Sequence, residues 1–171
     1  DPMSGEFYVG IGSMANLDDG GPPMKAAILK FSPDGKQQTI FAIGMRNVTA
    51  MAFQPATNAL YAVTMERDGM GDELVPDYLT RVEEGDNFGW PYQYTGGNVQ
   101  PEYQNKGLKL AAAKVPDVLF EAHSAPLDLA FIPDSWPAAY RGDAIVALHG
   151  SWNAAAPRGY KLVRVHFKDG K

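Results

Sequence analysis

"VTAMAFQPATNALYAVTME", residues 48–66, decides the fold. Two apolar arms flank a Pro/Thr/Asn turn, and such residues close β-turns. The stretch predicts a β-hairpin. The form recurs on both sides of it. "GEFYVGIGS" (5–13) reads as a strand rich in aromatic and β-branched residues. "AAILKFSPDGKQQTIFAIG" (26–44) is a hairpin around Ser32, Pro33, Asp34 and Gly35. "YLTRVEEGDNFGWP" (78–91), "APLDLAFIPDSWPAAYRGDAIVALHGS" (125–151) and "YKLVRVHFKDGK" (160–171) continue the series of strand–turn units.

An echo runs through these units. Phe31-Ser32-Pro33, Phe53-Gln54-Pro55 and Phe131-Ile132-Pro133 each end an apolar arm and open a turn. "AMAFQP" matches "DLAFIP", and "ILKFSPDGK" matches "LVRVHFKDGK". Repetition of hairpin-sized units is the signature of a radially repeated sheet, a β-propeller. On residues alone the competing reading stands: Phe-x-Pro before a turn occurs in any β protein. The polar stretch 95–117 reads as a long loop between strands, with "KGLKLAAAK" (106–114) as a short helix inside it. Long ordered loops on β scaffolds often carry function.

Composition bounds the function. The 171 residues correspond to about one domain. With 45% hydrophobic and 20% charged residues, the chain can bury a core. The 18 Gly and 13 Pro favour many short strands over long helices. A net charge of −5 and a pI near 5.1 disfavour nucleic acid and anionic membrane as partners. No run approaches the roughly 18 apolar residues of a membrane span. Cysteine is absent, which removes disulfides, thiolate metal sites and a cysteine nucleophile.

"ERDGMGDELVPD" (66–77) packs five carboxylates, Glu66, Asp68, Asp72, Glu73 and Asp77, into twelve residues. It is not an EF-hand: the fifth position is Met70, and no amphipathic helices flank it. Two readings stay open, a solvated acidic turn and an irregular calcium loop using carbonyls and one or two carboxylates. Arg46-Asn47, just before the 48–66 hairpin, is either a surface pair or a fixed fork for a carboxylate or quinone oxygen. The aromatics of "NFGWPYQY" (87–94) are either packing or a ring-stacking platform. His123 and His149 follow apolar strands, as packed side chains or as cleft residues. His166 reads as structural. No Gly-x-Ser-x-Gly elbow, dinucleotide fingerprint or phosphate loop is present.

Taken in order, "AAILKFSPDG", "GMRNVTAMAFQPATNALYAVTMERDGMGDELVPDYLTRVEEGDNFGWPY", "AHSAPLDLAF" and "YRGDAIVALHGSWNAAAPRGYKLVRVHF" resemble the soluble glucose/sorbosone dehydrogenases, along nearly the whole chain. The resemblance implies an all-β fold of six-bladed β-propeller type. This chain would supply about three blades, the C-terminal half, as one partial propeller domain over 1–171. It implies pyrroloquinoline quinone (PQQ) beside a calcium ion. It also implies oxidation of an aldose or sugar-derived aldehyde, with hydride passing to the quinone. Carried onto this sequence, Arg46 and Asn47 are the quinone-contacting pair. Backbone carbonyls of Arg67 and Asp68 are calcium ligands, with Glu66, Asp72 and Glu73 shaping the loop. His123, His149 and Trp152 lie on the cleft side.

Three departures qualify the resemblance. Val48 stands where relatives commonly have Pro. Ala154, Ala155 and Ala156 follow "SWN" where relatives often place a basic residue, and Arg158 or Lys161 is the candidate substitute. The family's catalytic His belongs before "FYVGIGS", outside this chain. The expectation is therefore a fragment inactive alone, paired with a second copy or with the missing half. The alternative is a non-catalytic propeller module binding a sugar, a metal or a protein. Periplasmic or secreted localisation follows from the family only.

Overall fold

A computed structural model describes residues 1–167. The turn read at the end of the last unit, 168–171, lies outside the described residues. The chain opens with an antiparallel sheet of β1 (Phe7–Ile11), β2 (Ala27–Phe31) and β3 (Gln38–Ile43). β4 (Asn47–Phe53), β5 (Leu60–Met65) and β6 (Pro76–Val82) form a meander. After an insertion carrying β7 (Gln93–Tyr94), β8 (Asn98–Val99) and a 3-10 turn at Pro101–Tyr103, β9 (Val118–Ala122) pairs with β6 as the fourth strand. β10 (Pro126–Phe131), β11 (Ala144–Leu148) and β12 (Lys161–Val165) make the third sheet.

The turns close where the sequence places them. Gly35 sits at φ +71 and donates its N–H to the Ser32 carbonyl at 2.8 Å, closing β2 onto β3. Asn58, at φ +55, donates to the Gln54 carbonyl at 2.8 Å and closes β4 onto β5. The segment 106–114 is not a helix. Nine residues are too few to hold an isolated helix in water. Its end is instead tied down: Lys114 donates its N–H to the Asn87 carbonyl and its Nζ to Asp86.

The sheets stack as blades. Leu60 and Ala62 of β5 point to a core shared with the first sheet, with Ile28, Phe41 and Tyr78. Tyr61 and Val63 point the other way, to a core shared with the third sheet, with Leu129, Val146 and Leu148. A period-2 strand apolar on both faces belongs in a layer covered on both sides. Each such Leu or Val contributes about 1.5–3 kcal/mol relative to exposure. β4 and β10 lie side by side, and Thr49 Oγ1 donates to the Pro126 carbonyl at 2.6 Å. The described residues form an all-β fold of propeller type, with three blade-like sheets.

The echoes fix the phase of each blade. "AMAFQP" and "DLAFIP" end β4 and β10, the first strands of the second and third sheets. The matched "ILKF" and "LVRV" lie in β2 and β12, at the position β6 holds in the four-stranded sheet. So the first sheet corresponds to strands two to four of that pattern, and the third to strands one to three. β1, β5 and β11 are then equivalent, and all three end on one side of the molecule.

One contact locks the insertion onto the first blade. Gly44 has φ +73, and a Cβ there would lie 2.5 Å from the Gly89 backbone nitrogen. Gly44→Ala is expected to cost about 2–4 kcal/mol, from the left-handed backbone and overpacking against a main-chain atom. Urea denaturation measures it, and the slope should stay unchanged.

Candidate functional site

Because β1, β5 and β11 end on the same side, the loops that follow them meet there. They carry Asn16, Asp68 and Asn153. The residues just before β4 and β10 reach the same point and carry Arg46 and His123. Together they border a cleft of about 240 Å³ lined by Arg46, Asn47, Glu66, Asp68, His123 and Asn153. A larger hollow of about 320 Å³ opens near Tyr61, Leu79 and Phe167. Arg81 there pairs with Glu83, and His166 Nδ1 lies 2.9 Å from an Asp143 carboxylate oxygen. The cleft is the better candidate because Arg46, in its wall, makes no ion pair among the described residues.

Arg46 is held by carbonyls rather than by acids. Its Nε donates to the Asn16 carbonyl at 3.2 Å and its Nη1 to the Glu66 carbonyl at 2.9 Å. Among the described residues it makes no ion pair, and its Nη2 has no hydrogen-bond partner. The adjacent Asn47 occupies space that only glycine leaves open, since a Cβ on Gly12 would lie 2.6 Å from Asn47 Oδ1.

Asp68 is gripped at nearly every polar atom. Its N–H donates to Asn16 Oδ1 at 2.7 Å. Its carbonyl accepts Asn16 Nδ2 at 2.8 Å and Arg67 Nε at 3.0 Å. Its Oδ1 accepts Asn153 Nδ2 at 2.9 Å and lies 3.1 Å from His123 Nδ1. Among the described residues only Oδ2 is left open. Arg67 is a staple: its Nη1 also reaches Gln100 and Glu102 and pins the insertion beneath the loop.

Glu66 and Asp77 lie buried in the cleft wall. Asp77 accepts the Glu66 N–H and the Ala125 N–H, each at 2.8 Å, and Ser124 Oγ at 3.3 Å, so it joins the second blade to the third. Burial still pushes its carboxyl upward. Among the described residues the Glu66 carboxyl accepts only the Arg67 N–H, at 3.3 Å, and burial pushes it up to about 8. Burial thus favours its neutral form, and Arg46 makes no ion pair among the described residues.

The structure brings Arg46, Asn47, Glu66, Asp68 and His123 together. Both His123 nitrogens are used internally, the second lying 2.9 Å from the Gly71 carbonyl, so this histidine clamps the loop. Trp152 stands at the mouth with its surface 86% exposed. Asp72, Glu73 and Arg158 do not line the cleft. Asp72 accepts the Ala155 N–H and Glu73 pairs with Arg158, forming a seam between two loops. Lys161 pairs with Glu121 on the outer strands at 3.0 Å, and His149 is exposed beside Gly150. Nothing in the sequence marks Asn16. Its role follows from contacts across 30 and 52 residues. Asn153 was visible only as part of "HGSWN". The aromatics of 87–94 pack: Phe88 joins the first core, and Trp90 is buried with Lys25 over its ring.

An all-β chain of stacked blades, with a polar cleft where its loops converge, is a propeller-type binding or catalytic scaffold. The family described as TrAA12-like matches residues 80–171, and the chain belongs to that family. A protein of Borreliella burgdorferi described as uncharacterized is 33% identical over 166 residues, covering 95% of this chain and 43% of that protein. A pyrroloquinoline quinone-dependent pyranose dehydrogenase of Coprinopsis cinerea is 46% identical over 94 residues, covering 53% of this chain and 12% of that one. The calcium structure of a Trichoderma reesei carbohydrate-active enzyme of family AA12 superposes with TM-score 0.77 at 20% identity, over 98% of this chain and 51% of that one. The holo PQQ domain of the Coprinopsis cinerea pyranose dehydrogenase gives 0.74 at 21%, over 97% and 51%. The chain thus spans less than half of these sequence relatives and about half of the solved neighbours. Among the described residues no helix is long and apolar enough to cross a membrane.

Proposed function

We propose that this chain is the cofactor-floor half of a quinoprotein oxidoreductase propeller, related to sugar dehydrogenases, with PQQ and calcium as its cofactors. The observation that carries the reading is the Arg46 guanidinium, fixed by two carbonyls and making no ion pair among the described residues. The donor set fits such a group. Arg46 Nη2 and the Asn47 amide are donors for a quinone or carboxylate oxygen. The Arg67 carbonyl and Asp68 Oδ2 accept no hydrogen bond among the described residues, and both are hard oxygens suited to calcium. The Asp68 carbonyl already holds two donors, so its carboxylate is the better ligand of the two. When bound, PQQ would accept hydride from an aldose or sugar-derived aldehyde. This chain's residues would bind and orient it. A sorbosone-type substrate and a periplasmic or secreted location are parts of the same proposal. The test is a titration of the chain with PQQ, with and without calcium, followed by absorbance.

A second reading has one observation in its favour. Arg158 and Lys161, the candidate replacements for the basic residue missing at 154–156, are both paired away from the cleft. A non-catalytic module binding a sugar, a metal or a protein would show no PQQ binding at saturating calcium.

The partner follows from the open blade faces. Phe7, Ile40 and Ile43 are exposed on the first sheet, and Leu127 and Leu162 on the third. Apolar faces of this kind mark contact surfaces. We propose that a second copy, or the other half of the propeller, covers them. Light scattering after size exclusion is expected to show concentration-dependent self-association of the isolated chain. A stable monomer at every concentration would remove the second copy as the partner.

A further inference from the structure

We infer that Asn16 is a positioning residue of the cleft, setting the Arg46 fork and the Asp68 carboxylate in one register; its role toward a cofactor rests on the reading above. The inference starts from geometry. The Asn16 side chain makes two reciprocal bonds to one peptide unit, accepting from the Asp68 N–H and donating to the Asp68 carbonyl. Its own carbonyl accepts Arg46 Nε and Trp90 Nε1, the latter at 3.3 Å. One residue from the loop after β1 therefore touches the junction before β4, the loop after β5 and the insertion. No other residue of the first sheet's loop joins Arg46 to Asp68 among the described residues.

The residue type is specific to the task. A carboxamide presents one acceptor and one donor face, the complement of a backbone N–H and C=O. An aspartate would keep the bond from the Asp68 N–H and set its second oxygen against the Asp68 carbonyl. An alanine would lose both. The Arg46 fork would lose direction too, because this grip ties the backbone at 16, and with it the carbonyl that holds Arg46 Nε, to the loop after β5.

The experiment uses the full chain with Asn16→Ala, Asn16→Asp, Arg46→Ala and the double variant Asn16→Ala/Arg46→Ala. The first readout is hydrogen exchange of the Asp68 amide in cofactor-free protein. Asn16→Ala should speed it about tenfold or more, since two bonds to one peptide are lost, and Asn16→Asp should speed it less. The second readout is the PQQ dissociation constant in calcium. Asn16→Ala should weaken it about tenfold and add little to Arg46→Ala in the double variant, because both act through one fork. A purely structural role would move the melting temperature and leave the two effects additive. An unchanged Asp68 exchange rate, or additive losses, overturns the inference. If the wild-type chain does not bind PQQ, the cofactor reading fails on its own, and the exchange rates alone decide whether Asn16 positions Asp68.

Discussion

Arg46→Ala is expected to weaken calcium-dependent PQQ binding about 10- to 100-fold. A hydrogen bond to a charged group is worth about 1.5–3 kcal/mol, and removing its donor also leaves the cofactor oxygen unpaired. Arg46 gives up little when removed from the free chain. Among the described residues it forms no ion pair, and its bonds go to two carbonyls at a partly open cleft. The loss should therefore fall on binding rather than on folding, with the melting temperature close to wild type. Arg46→Lys should fall between the two, since lysine keeps the charge without the planar fork. Tight binding that survives Arg46→Ala would place the cofactor elsewhere. No binding even by the wild-type chain would favour the non-catalytic module.

The strands were legible because their turns are written in the residues. Pro33 with Gly35 and Pro55 with Asn58 close hairpins where a β-turn needs them. The neighbours of each hairpin were not legible. The sequence groups residues 78–91 as a self-contained unit, yet β6 pairs with β5 on one edge and with β9, beyond the insertion, on the other. Alternation says which residues share a face and not which strand lies alongside. The 106–114 segment shows the complementary failure, since helix-favouring residues without a stripe to bury leave the outcome to tertiary anchors.

The site divides along the same line. Arg46, Asn47 and Asp68 carry charged or amide groups beside strand ends, and that much is visible in one dimension. What His123 and Asp72 do depends on partners 52 and 83 residues away. His123 spends both nitrogens on the loop, and Asp72 joins a seam. Asn16 sits in "GSMANLDDGG", where a lone asparagine has no pattern to distinguish it from any loop residue. Its importance comes from three sheets ending at one place, which is a property of the fold.

Glu66→Gln is expected to stabilise the cofactor-free chain above neutral pH and to flatten its stability profile. Glu66 is buried, and its carboxyl is pushed up to about 8 from an ordinary 4.5. Below pH 4.5 the acid is protonated both folded and unfolded and contributes no pH dependence. Between 4.5 and 8 the unfolded chain releases the proton while the folded chain keeps it. The folded state then binds more protons, so stability falls as pH rises through this window. The fall reaches roughly 4–5 kcal/mol by pH 8, as an upper figure. Asp77, also raised by burial, adds in the same direction at lower pH. Glutamine has nearly the same shape, never ionises, and keeps an oxygen for the Arg67 N–H. Denaturant midpoints at pH 5, 6.5 and 8, in chelator, should decline for wild type and stay nearly level for Glu66→Gln. Parallel profiles would mean that Glu66 is ionised in the folded chain. Arg46 would then face a carboxylate, and the cation that carries the proposed function would already be neutralised.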